Sequence, residues 1–156
     1  MQEDGARTAS HGYIPRAPHS WFTGRVPSPL VTRTDAGYSP LPYAQALALR
    51  QDWLRSAASG GTIDNYAGKR LFPRVTWRAD LIVRICDGRL EGLHLQARAR
   101  NISLGGVGVV TRAPIPAGAA VTVALAESLE SVSGSVVHCT KIIQGFLVGI
   151  SWCAPD

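Results

Sequence analysis

Two short segments carry side chains whose types and spacing could grip an anionic or planar ligand. The first is Lys69-Arg70-Leu71-Phe72-Pro73-Arg74, with two guanidiniums four residues apart. Each offers a planar fork of N–H donors that fits a phosphate or the acceptor edge of a base. Pro73 pushes Phe72 out of the helical region, so the arginines sit on an extended lead-in and not on one helix face. Arg74 shares the outward parity of Thr76, Arg78 and Asp80, which directs it to solvent or to a ligand. Among fourteen arginines this spacing arises readily by chance, and taken alone a solvated basic strand edge is the favoured explanation. The second segment is Asn101-Ile102-Ser103-Leu104-Gly105-Gly106. Asn101 brings an acceptor and an amide donor, and the Ser103 hydroxyl can play either part. Gly105 and Gly106 permit positive φ and leave no side chain in the way of an approaching ring or phosphate. An ordinary turn bonded to its own backbone is the plain alternative.

Other chemistry is hard to assemble. The sequence has no G-x-S-x-G elbow, Walker A loop, H-E-x-x-H or G-x-G-x-x-G. His11, His19, His94 and His138 are scattered, so no metal site is expected. Glu127 and Glu130 fall in an expected solvated loop. Cys86, Cys139 and Cys153 are an odd number without a C-x-x-C, which points to a reducing compartment. No apolar run approaches the roughly 18 residues of a membrane span. The acidic start Met1-Gln2-Glu3-Asp4 has no apolar run after it, so no secretory signal is read there and a cytoplasmic location is expected. These features favour a binder over an enzyme, with neither metal nor cofactor.

The elements that must position the two segments follow from charge and periodicity. The net charge is +5, but residues 69–112 alone carry +6, against +1 for 1–68 and −2 for 113–156. Six of the ten prolines lie at positions 15, 18, 27, 29, 40 and 42. Residues 1–38 lack an apolar period and read as an extended or disordered arm. Residues 39–61 read as an amphipathic helix and its linker, with Ser39 as N-cap, Pro40 at the first helical position and Gly60-Gly61 as the stop. Trp53 and Leu54 are its expected anchors on the following domain. From Val75 the period is two, through Val75, Trp77, Ala79, Leu81, Val83 and Ile85. Asp87-Gly88 turns the chain, and Leu90 to Arg100 alternates again, with Leu93, Leu95, Ala97 and Ala99 inward and His94, Gln96, Arg98 and Arg100 outward. Shorter strands are expected near 107–111, 120–126, 132–140 and 146–152. Six strands with no crossover helix mean a mainly β fold, an antiparallel barrel or sandwich over 62–156, with closure hiding the edges.

Taken together, Arg70–Arg74 ahead of the first strand and Asn101–Ser103–Gly106 after the second resemble the signature of the PilZ domain family, R-x-x-x-R and D/N-x-S-x-x-G. Gly106-Val107-Gly108-Val109-Val110 and Gly145-Phe146-Leu147-Val148-Gly149-Ile150 are similar to its strand pattern. The resemblance covers about residues 68–153. It implies a six-stranded antiparallel β-barrel that binds cyclic di-GMP on its outer surface and signals to a protein effector. On that reading Arg70 and Arg74 meet guanine and phosphate, Asn101 and Ser103 address a guanine edge or ring substituent, and Gly106 allows close approach. Lys69, Gly105 and Arg78 are additional candidates; the family links a basic residue at the position of Lys69 to a stacked ligand pair. The family often has Asp where this chain has Asn101, so a charge-assisted acceptor is missing. It also commonly places a helix after the last strand, a place that the 40–58 helix is expected to take. Two rivals remain: a PilZ-like interaction module that binds no nucleotide, and a small-barrel binder of single-stranded nucleic acid. The second is disfavoured because Trp77 is the one aromatic between 74 and 112.

Overall fold

The computed structural model describes residues 40–64 and 69–154. The expected arm at 1–38 and the Ser39 cap lie outside them. One helix, α1 (Tyr43–Ala58), is followed by β1 (Ile63–Asp64), β2 (Arg74–Thr76), β3 (Asp80–Ile85), β4 (His94–Ser103), β5 (Gly106–Thr111), β6 (Ala120–Leu125), β7 (Ser131–Ile142) and β8 (Gly145–Trp152). Every strand pairing in the sheet is antiparallel. Six strands close on themselves in the order β3–β4–β5–β8–β7–β6 and back to β3. This is the closed six-stranded barrel expected from the alternation, and it leaves no free edge within the ring.

The alternation at 75–85 is carried by two pieces. β2 and β3 both pair with β4, β2 at Val75↔Ile102 and Thr76↔Asn101, β3 at Asp80↔Arg98 onward. The break at 77–79 lies opposite a register shift in β4 between Ala99 and Asn101. Trp77 N–H donates to Arg100 O and Ala99 N–H to Ala79 O, which keeps the two pieces in line. The second strand begins at His94, not Leu90, because Gly88–Leu90 form a short 3₁₀ turn with Gly88 at φ 73°. His94 was expected to face solvent, yet it is buried beside its cross-strand partner Arg84.

Inward positions hold aliphatic side chains: Leu81, Val83, Val109, Val123 and Val148 are at most 1% exposed. α1 packs against β2, β4 and β7 at one end of this core. Its Trp53 lies 5.7 Å from the Trp77 ring and 6.1 Å from the Trp152 ring, so three indoles fill that end. The helix starts later than its proline signal, with Pro42 at the N-cap. Pro40 pairs instead with Ser131, and Leu41 N–H donates to Ser131 O at 3.1 Å. After α1, Gly61 presses against the Thr76 carbonyl, with room for no side chain. Thr76 N–H donates to Thr62 O, so the chain leaving the helix is zipped onto β2. No helix among the described residues is long and apolar enough to cross a membrane.

A candidate ligand groove on the outer barrel face

The two segments singled out in the sequence meet on the outside of the barrel. They border a groove of about 310 Å³ whose lining includes Arg70, Arg74, Asn101, Ser103, Gly105 and Gly106. β2 carries Arg74 alongside the end of β4 because Thr76 pairs with Asn101. The β4–β5 turn closes with Ser103 opposite Gly106. Lys69 and Arg78 are exposed but do not line the groove. The described lining contains two arginines and no carboxylate, so the groove favours an anion.

The turn itself differs from the expected glycine geometry. Neither Gly105 nor Gly106 has positive φ. Both are required by close approach: a Cβ on Gly105 would lie 2.8 Å from the Phe72 ring, and one on Gly106 would strike the Ile150 carbonyl oxygen. Ser103 is buried, and its hydroxyl donates to Gly106 O at 3.4 Å, the self-bonded turn that was the plain alternative. Trp152 Nε1–H donates to Ser103 O at 3.3 Å and Trp152 N–H to Gly105 O at 3.0 Å. The turn that borders the groove is therefore tied to the indole cluster behind it.

The floor of the groove holds residues that the motifs do not name. β5 and β8 pair with Gly108 opposite Gly149, so two outward positions in adjacent strands have no side chain. Asn101 stands opposite Gly108, and its Oδ1 would be 2.7 Å from a Cβ there. His138 stands opposite Gly149 and leans over it from β7. Glycines at alternate positions of β5 are visible in Gly106-Val107-Gly108-Val109 and signal a bare face. Nothing local in the sequence marks His138.

The described residues thus form an antiparallel barrel with a cationic groove on its exterior. The family model for the PilZ domain matches residues 68–156, more than half of the chain. The protein belongs to the PilZ domain family. No curated protein matched the chain.

Proposed function

We propose that this protein is a cyclic di-GMP receptor that acts as an adaptor and not as an enzyme, with the ligand seated in the outer groove. One observation carries the reading: Arg70, Arg74 and Asn101 converge on one groove whose described lining has no carboxylate and whose two central floor positions are glycines, Gly108 and Gly149. Guanine presents O6 and N7 as adjacent acceptors, which an arginine fork matches with two parallel hydrogen bonds, and phosphodiester charges favour the same side chains. Arg70 and Arg74 supply those contacts. Asn101 addresses a guanine edge, Ser103 holds the turn, and Gly105 and Gly106 let the ligand close on the backbone. The three cysteines are free thiols, which suits a reducing cytoplasm.

Ligand binding on this reading shifts the Arg70–Arg74 lead-in and, through β2, alters how the amino-terminal segment with α1 is arranged, the change a protein effector would read. Two short routes support it: β2 is zipped to the chain leaving α1, and Ser103 is bonded to Trp152, which packs on Trp53.

Titration calorimetry with cyclic di-GMP tests the reading on wild type, Arg70→Ala and Arg74→Ala. By analogy with base readout, each arginine is worth about 1–3 kcal/mol, about 5- to 150-fold in Kd. Absence of heat for the wild type at micromolar concentrations, or unchanged binding in both variants, overturns it.

A further inference from the structure

The groove floor is one transverse row across four strands: Asn101 on β4, Gly108 on β5, Gly149 on β8 and His138 on β7. Each end of the row has a register shift, between Ala99 and Asn101 in β4 and between Val136 and His138 in β7. A bulge re-aims side chains that the regular pleat would send elsewhere. In β7 it leaves Val136 buried while Val137 and His138 are both exposed on the outer side. The exposed His138 side chain folds over the neighbouring strand. Its Cε1, Nδ1 and Nε2 atoms crowd the space a Cβ on Gly149 would occupy, as the Asn101 amide does over Gly108. Asn101 and His138 therefore lean toward each other over Gly108 and Gly149 from the two ends of the row.

We propose that His138 is a further ligand-binding residue of this groove, an aromatic platform on which one purine base of the ligand stacks while Asn101 faces that base from the far side of the floor. This rests on the receptor reading above, and it adds a contact outside both sequence motifs. The surroundings select stacking over ion pairing. Val137 and the outward Leu147 share the groove lining with His138, whereas the guanidiniums enter from the β2 side. A ring held between apolar neighbours over bare backbone presents a π-face, which any purine can cover.

Calorimetry and thermal unfolding on the full chain with cyclic di-GMP test this. His138→Ala and His138→Gln are expected to weaken binding about tenfold, while His138→Phe stays within about threefold of wild type, because a ring suffices for stacking. None of the three should shift Tm by more than about 2 °C, as expected for an exposed side chain. Gly149→Ala is expected to weaken binding by displacing the imidazole from its place over the floor. Unchanged affinity in His138→Ala, or retention in Gln with loss in Phe, would each overturn the platform while leaving the receptor reading intact. No binding by the wild type overturns the receptor reading, and the platform with it.

Discussion

The end of the barrel under α1 and the groove on its outer face are built from the same strands with opposite side-chain economies. Inward, β5 and β8 present Val107, Val109, Val148, Ile150 and Trp152, and Trp53 from the helix closes the end over Trp77 and Trp152. Outward, the same strands present Gly106, Gly108 and Gly149. The period of two lets one strand fill a core and clear a surface, so core packing and an open groove fall to alternate residues. The two regions meet at the β4–β5 turn, where Trp152 donates to the Ser103 carbonyl and Gly106 lies against Ile150. Substitutions should therefore separate into stability effects and affinity effects, except at that turn.

The filled end gives the largest expected effect. Trp53→Ala removes the indole that the other two share and should lower unfolding free energy by about 3–5 kcal/mol. Urea unfolding followed by circular dichroism measures it. A loss below about 1 kcal/mol would mean that the helix only rests on the barrel, and the contrast between the two regions would weaken.

At the meeting point, Gly106→Ala should act on both properties. Its methyl runs into backbone, which cannot move aside cheaply, and overpacking of this kind costs about 1–3 kcal/mol. The methyl of Gly108→Ala first meets the Asn101 side chain, at 2.7 Å, which can give way, so that variant should weaken cyclic di-GMP binding with little change in Tm. Equal Tm losses in the two would show that the floor is structural and erase the distinction.

Much of this arrangement is legible in sequence, for reasons that differ by element. The barrel strands announce themselves by alternation, because facing the core at every second residue constrains composition directly. Arg70, Arg74, Asn101, Ser103 and Gly106 are legible because each set is local to a few residues. His138 is not, because a register shift in β7 and the β8 partner Gly149 together put it in the groove. The later start of α1 is hidden for a similar reason: Pro40 and Leu41 are held by Ser131, some ninety residues away. Gly105 and Gly106 meet close neighbours without positive φ, and a glycine in sequence does not say whether it serves its own dihedrals or a neighbour's approach.

A smaller effect is expected at the far end of the floor. Asn101→Asp would give the guanine N–H edge a charge-assisted acceptor, roughly doubling one hydrogen bond, but sets a negative charge near the phosphodiesters. The net expectation is a gain in affinity of a few-fold in Kd, read by calorimetry at fixed salt, with Tm unchanged. A loss would show that Asn101 faces phosphate and not base.

The smallest effect should come from outside both regions and so test whether they are the whole account. His94 opens β4, at the opposite end of that strand from Asn101 and Ser103, and it is buried. Burial, and then the Arg84 guanidinium paired across from it, hold its pKa below the ordinary imidazole value. The unfolded chain therefore takes up a proton there at a higher pH than the folded protein does. Stability contributed by neutral His94 is complete above about pH 6.5 and declines as pH falls from there through the depressed folded value. Thermal unfolding of the ligand-free protein between pH 7.5 and 5 should show Tm falling with acidity, and His94→Gln should flatten that slope. If the slope is the same in His94→Gln, acid sensitivity belongs to other groups, and the β3–β4 face contributes no titrating element of its own.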